Sequence, residues 1–273
     1  MKMIGRKKFV LLALCIIVFS SLLVILLPLK PAPETTSDLT SAVMNAIDFC
    51  GGLNESDALL MLDVIYRRFE IASFADALQR YDMVISETPD DAPIMRVFRR
   101  IADYDNVLQH DDLYSISWEL DVLTVPALYC DRLELPADYS ESLLLASRGG
   151  GYSLTHALLA HIWIQENGCE LPLSEEFVEY LYHANAELIN EDSVVDDLEL
   201  EAATFLYLAG QGNLVGDDFI ESVLEVQKDD GGWLFSSDEP GDSDWHASVL
   251  ALLLLLHLEY PADSYPPMLA PKP

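Results

Sequence analysis

A 45-residue period limits this chain to very few folds. His156, Glu201 and His246 follow one another at that spacing, and each opens an apolar stretch: Ala157–Gln165, Ala202–Ala209 and Ala247–Leu258. Trp118 opens an earlier one, Glu119–Tyr129, and its lead-in Tyr114-Ser-Ile-Ser-Trp118 resembles Tyr152-Ser-Leu-Thr-His156. A fixed period of this length with helical patterning and no strand signal indicates stacked helical hairpins. The run Val249–Leu256 is apolar on every face, so its helix must be buried on most sides. Between the apolar stretches lie turns (Glu134-Leu-Pro, Glu170-Leu-Pro, Gly210-Gln-Gly) and the amphipathic segments Tyr139–Ala146, Glu175–Leu188 and Asp217–Gln227. A buried helix alternating with a half-exposed one is what a double-layered ring requires. The expected fold is all-α: a partial α/α toroid over residues 112–260, preceded by one N-terminal transmembrane helix.

Residues 42–111 are helical in pattern but lack the repeat and read as preceding or capping helices, as terminal units of repeat arrays do. Phe9–Leu29 carries no charge, and a run of about 20 such residues spans a bilayer. Lys2, Arg6, Lys7 and Lys8 precede it. By the positive-inside rule this gives a single-pass protein with residues 1–8 cytoplasmic, an anchor at 9–29 and the remainder outside. A cleaved signal peptide is the rival reading, and both export the domain. Residues 30–41 read as a proline-stiffened spacer and 261–273 as a Pro-rich tail.

All 46 acidic residues lie after position 33, against 10 Lys or Arg from position 31 onward. Such a body repels phosphate backbones, which removes nucleic acid as a partner. Three of the four cysteines (Cys50, Cys130, Cys169) fall in the exported part, an odd count that allows no complete disulfide framework. Cys130 and Cys169 occupy matching places in two repeats and read as equivalent buried thiols, with pairing the alternative.

Gln227-Lys-Asp-Asp230-Gly231-Gly232-Trp233 resembles the Gln…Gly-x-Trp repeat of terpenoid cyclases and protein prenyltransferase β subunits, with Arg148-Gly-Gly-Gly-Tyr152 a degenerate second copy. That family folds as an α/α toroid. The resemblance implies that Gln227 and Trp233 tie an outer helix end to the next inner helix start, the Gly pair permitting tight reversal. It also likens Asp244-Trp245-His246 to the zinc-binding His that follows an aromatic residue in prenyltransferases. Two departures count against the family's chemistry. The Asp-x-Cys ligand pair is missing from the repeats, occurring only as Asp48-Phe-Cys50, and no Asp-x-Asp-Asp acid motif exists. From Gly149 onward only Lys228 and Lys272 are basic, which leaves nothing to bind a diphosphate.

In a toroid the inner-helix starts face one mouth of the central cavity. His156, Glu201 and His246 are therefore expected to converge there, with Trp118, Tyr152, Trp245 and Asp244 as cavity wall. Two imidazoles and a carboxylate form the ligand set of catalytic zinc sites, so a divalent metal such as zinc is the candidate cofactor, with Asp242, Asp244 and Glu199 as supporting acids. The competing reading makes these positions helix caps, with Thr155 or Ser243 bonding free amides and the histidines satisfied wall residues. His161, five residues after His156, lies on another helix face. The function expected is a membrane-tethered binding or interaction module for a small molecule or protein; the alternative is a metal-dependent or acid/base enzyme built on His156, Glu201 and His246.

Overall fold

The structure is a computed structural model and describes residues 35–88, 93–108, 116, 119–189 and 194–272. The anchor at Phe9–Leu29 and the wall residue Trp118 lie outside the described residues. Among the described residues no helix is long and apolar enough to cross a membrane.

The described chain is all-α. In order its helices are α1 (Thr35–Gly51), α2 (Ser56–Phe69), α3 (Ala77–Glu87), α4 (Pro93–Phe98), α5 (Glu119–Leu128), α6 (Tyr139–Gly149), α7 (Gly151–Glu166), α8 (Glu175–Ala186), α9 (Asp197–Leu208), α10 (Asp217–Glu225) and α11 (Trp245–Glu259). Only isolated bridges stand in for strands: Asp196 with Ser236 and Trp233 with Asp244. Helix α1 begins at Thr35, inside the stretch that the prolines suggested was a spacer. Asp38–Pro273 form one compact unit.

Each apolar stretch read from the sequence is a buried helix: α5, α7, α9 and α11. Helices α7, α9 and α11 begin earlier than periodicity indicated. His156 and Glu201 sit inside α7 and α9, because Gly151–Thr155 and Asp197–Leu200 are already helical. Local chemistry explains the starts. Asp196 and Glu199 form a reciprocal capping box on α9, and the Asp244 carboxyl accepts from the amides of His246 and Ala247 on α11; each satisfies amides that a helix N-terminus otherwise leaves unpaired. The caps are therefore Asp196 and Asp244. Ser243 and Thr155 do not cap: the Ser243 hydroxyl bonds Asp230, and Thr155 lies inside α7.

The buried helices neighbour one another in chain order, α5 with α7, α7 with α9 and α9 with α11; α2 then lies against α11, and α4 meets α5. Helix α6 packs on α7, α8 on both α7 and α9, and α3 on α2. Cross-helix bonds set direction. Tyr152 of α7 bonds Asp197 of α9 and Thr155 bonds Glu201; Asp197 bonds His246 of α11, while Thr204 donates to the Leu250 carbonyl at 3.0 Å. Positions rise together along both pairs, so α7, α9 and α11 run parallel and bring their N-termini to one end.

At the opposite end, Cys130 and Cys169 follow α5 and α7 and are joined as a disulfide with Cα atoms 6.1 Å apart. This corrects the reading of the two as buried thiols: equivalent places in adjacent hairpins put their side chains within bonding reach. Among the described residues Cys50 is the free, buried cysteine, its thiol pushed up to about 12 by burial.

The C-terminal segment read as a Pro-rich tail is bonded into this same end. The Glu166 carboxyl accepts from the amides of Met268 and Leu269 at 2.8 and 2.9 Å, and Arg67 donates to the Met268 carbonyl at 2.8 Å. Met268 and Leu269 are buried in the core.

Candidate functional site

The segment Asp230–Trp233 builds the site indirectly. Trp233 is 1% exposed; its indole N–H donates to the Val223 carbonyl of α10 at 2.8 Å, and its amide donates to Ser248 of α11 at 2.8 Å. It therefore joins the end of α10 to the start of α11. Gln227 does something else. Its side-chain amide donates to Gly231 within its own turn and to the Ala42 carbonyl of α1, at 3.0 and 2.9 Å. Gly231 has φ +91, and a Cβ there would collide with the Asn45 carbonyl of α1, so only glycine fits. Desolvation pushes the Asp230 carboxyl up, but the bonds it accepts from Ser243 and Gly232 outweigh this and hold it below the usual range.

Beyond Trp233 the chain fixes two site residues. The Asp244 amide donates to the Trp233 carbonyl at 2.7 Å, setting the start of α11 and with it His246. The Asp197 amide donates to the Phe235 carbonyl at 2.9 Å, setting the start of α9. Asp197 is 1% exposed. Its carboxyl accepts from the Tyr152 hydroxyl at 2.8 Å and from His246 Nδ1 at 2.7 Å.

His156, Glu201 and His246 do converge. His156 Nδ1 is 3.2 Å from Glu201 Oε1, and His246 Nε2 is 3.8 Å from Glu201 Oε2. The Thr155 hydroxyl also bonds Glu201 Oε1. The contacts form two hydrogen-bonded groups, Thr155 with Glu201, and Tyr152 and His246 with Asp197, with His246 Nε2 left 3.8 Å from Glu201. His156 Nδ1 is 3.0 Å from the Tyr152 carbonyl, which can only accept, so that nitrogen carries a proton. His246 Nδ1 is committed to Asp197. Among the described residues no three His, Cys, Asp or Glu side chains are disposed to hold a metal ion. The acids expected to support a metal have other work or none. Glu199 closes the α9 capping box, Asp244 caps α11, and Asp242 is exposed.

The cluster lines a cavity of about 480 Å³. Asp57 and Asp121 join it from the first turns of α2 and α5. The acids and histidines thus lie near N-termini of the helices around the cavity, where the positive end of each helix dipole favours acidic groups. Leu60, Met95, Phe98, Leu159, Trp163, Phe205, Val249, Leu250 and Met268 complete the wall with apolar surface. Trp163 and Met268 meet through an indole N–H donated to sulfur at 3.3 Å. Of the predicted wall, Tyr152 and Trp245 line the cavity, whereas Asp244 stays in its capping role.

Electrostatics follow from this packing. Burial opposes a charged His246, but the Asp197 hydrogen bond and charge, with Glu201 and Asp244 behind, outweigh it and raise the imidazole above its ordinary value. Burial and the Asp197 bond both push the Tyr152 phenol up. Asp57 is open to solvent on one side and walled on the other; desolvation raises its carboxyl, with His246 pulling the other way. Asp121 is raised likewise, with His156 opposing. His161 is buried away from the cavity among α7 neighbours, and burial lowers it.

Sequence reasoning missed Asp197, Asp57 and Asp121. A signal existed for the first: Asp197 precedes Glu201 by four residues, and Tyr152 precedes His156 by four, so each pair shares a helix face. Compared with known protein families, curated proteins and solved structures, the chain matches none.

Proposed function

We propose that the chain is a membrane-tethered binding module, an α/α toroid whose central cavity takes a small, mainly apolar molecule and meets its polar end with the cluster of Asp197, His246, Glu201 and His156. The observation that carries this reading is the division of the cavity lining, with titratable groups near helix N-termini and aromatic and aliphatic walls elsewhere. Its volume falls in the range of small-molecule pockets, which are characteristically apolar with a few convergent polar groups. The toroid is supported by the neighbour order α5, α7, α9, α11, α2, with α4 leading back to α5. Tethering on the outer face is supported by the apolar run Phe9–Leu29 and by the Cys130–Cys169 disulfide, since such bonds persist in oxidising compartments.

The test is thermal unfolding of the full chain in zwitterionic-lipid nanodiscs with and without 2-phenylethanol. Ligand at 100 times its dissociation constant adds about 2.7 kcal/mol, a rise of roughly 5–10 °C for a domain of this size. Leu159→Trp fills the cavity and removes the rise while the helical signal stays. An equal rise in Leu159→Trp, or none with any small aromatic alcohol, ends the reading.

A second reading is favoured by one specific observation. Asp197 holds His246 Nδ1 so that Nε2 faces Glu201 Oε2 across 3.8 Å. An oriented imidazole with a raised pKa is suited to proton transfer, which would make the chain an acid/base enzyme acting through His246. Recovery of every bound compound chemically unchanged decides against it; turnover abolished by His246→Asn decides for it.

A further inference from the structure

The charge of the cavity lining narrows its occupant. Asp57, Asp121, Asp197, Glu201, His156 and His246 line it, with no Lys or Arg among them. Even with both imidazoles protonated the acidic groups outnumber the basic ones, so a carboxylate, sulfate or phosphate ligand would enter against like charge. One acidic atom is also left open. The Glu201 side chain is 2% exposed, and its Oε1 bonds Thr155 and faces His156. Its Oε2, among the described residues, makes no hydrogen bond; its nearest charged neighbour is His246 Nε2 at 3.8 Å, beyond bonding reach. A buried carboxyl oxygen that faces a cavity without a donor is an incomplete site. Aromatic rings, each with two π faces, line the same cavity: Phe205 on the same helix one turn on, and Trp245 adjoining His246 with ring centroids 5.1 Å apart. Such faces attract cations.

Resting on the binding reading above, we propose that the occupant is an organic ammonium. Its nitrogen donates to Glu201 Oε2, Asp57 and Asp121 add negative potential from the facing helices, and its apolar body lies along Phe205, Trp245 and Trp163. Asp197 does not compete for it, because Tyr152 and His246 already occupy that carboxyl.

Three probes of matched shape separate the possibilities: 2-phenylethylammonium, 2-phenylethanol and 3-phenylpropionate. Each is titrated into the full chain in zwitterionic-lipid nanodiscs and read by tryptophan fluorescence, since Trp163 and Trp245 both line the cavity. The expected order is the ammonium at least tenfold tighter than the alcohol, with the carboxylate not bound. Glu201→Gln removes the preference, bringing the ammonium to within about twofold of the alcohol measured on the same variant. Asp57→Asn, at the solvent-open rim, lowers ammonium affinity several-fold and serves if Glu201→Gln does not fold. Equal affinity for ammonium and alcohol in the unaltered chain overturns the cation assignment and leaves the cavity reading standing. Binding of none of the three overturns both.

Discussion

Removing the Cys130–Cys169 disulfide should weaken the fold without touching the site. The bond joins the segments that follow α5 and α7, at the end opposite the Asp197 and Glu201 cluster. Its sequence separation of 39 residues sets the entropy that cross-linking removes from the unfolded chain. A closed loop of that length corresponds to about 4 kcal/mol at 25 °C on the loop-closure relation. Domains of ordinary stability have only about 5–15 kcal/mol in total, so the loss is large but survivable. The perturbation is Cys130→Ser with Cys169→Ser, compared with the oxidised chain by urea denaturation. With a slope of about 3 kcal/mol per molar, the midpoint should fall by about 1.3 M. Alkylation followed by mass measurement checks the premise: Cys50 is buried and its thiol raised to about 12, so it stays unmodified until the chain unfolds. An unchanged midpoint, or two alkylated thiols at 130 and 169 in the native, unreduced chain, would refute the reasoning.

Other expectations are narrower. His257 is buried; its Nδ1 donates to the Leu253 carbonyl at 2.7 Å, and its Nε2 accepts from Arg68 at 3.1 Å. Burial first, then the Arg68 charge, lowers it to about 4. The unfolded chain binds this proton near pH 6.5 and the folded chain does not, so stability falls by roughly 3 kcal/mol as pH drops from 6.5 toward 4. His257→Leu removes that acid-side slope in denaturation measured across the window. His246 has the opposite sign: its raised pKa gives stability that is complete below about 6.5 and is lost as pH rises through the folded value, so His246→Asn flattens that loss. Trp233→Phe orphans the Val223 carbonyl and should cost about 1–3 kcal/mol, read as a lower thermal midpoint; no change would mean the indole bond does not join α10 to α11.

Architecture was readable from the sequence wherever burial alone determined it. Val249–Leu256 has no polar face, so it could only be a buried helix, and the same logic located α5, α7 and α9. The helix starts were blurred because Tyr152-Ser-Leu-Thr and Asp197-Leu-Glu-Leu are polar enough to pass for loop, although Tyr152, Thr155 and Asp197 bond across to neighbouring helices. The Asp197–His246 contact was hidden by the offset within its repeat. Its partners are 49 residues apart, off the 45-residue period, and Asp196 next to it made the pair look like an ordinary cap. One of the two acids does cap; the other turns inward. Met268 and Leu269 were invisible for a different reason. Two apolar residues among prolines carry no periodic signal, and what buries them is Glu166 and Arg67, about 100 and 200 positions away. The cysteines misled by arithmetic, since Cys50 made the count after residue 30 odd while taking no part in pairing.

The most direct test of the account is the location of a bound ligand. Crystals grown with 2-(4-bromophenyl)ethylammonium allow the bromine to be placed by its anomalous signal. The account predicts one peak inside the cavity, beside Trp163, Phe98 and Met268, with the nitrogen within 3.2 Å of Glu201 Oε2, the outer limit for an N–H···O bond. Bromine found only on the outer surface, with the cavity empty at saturating ligand, would contradict it.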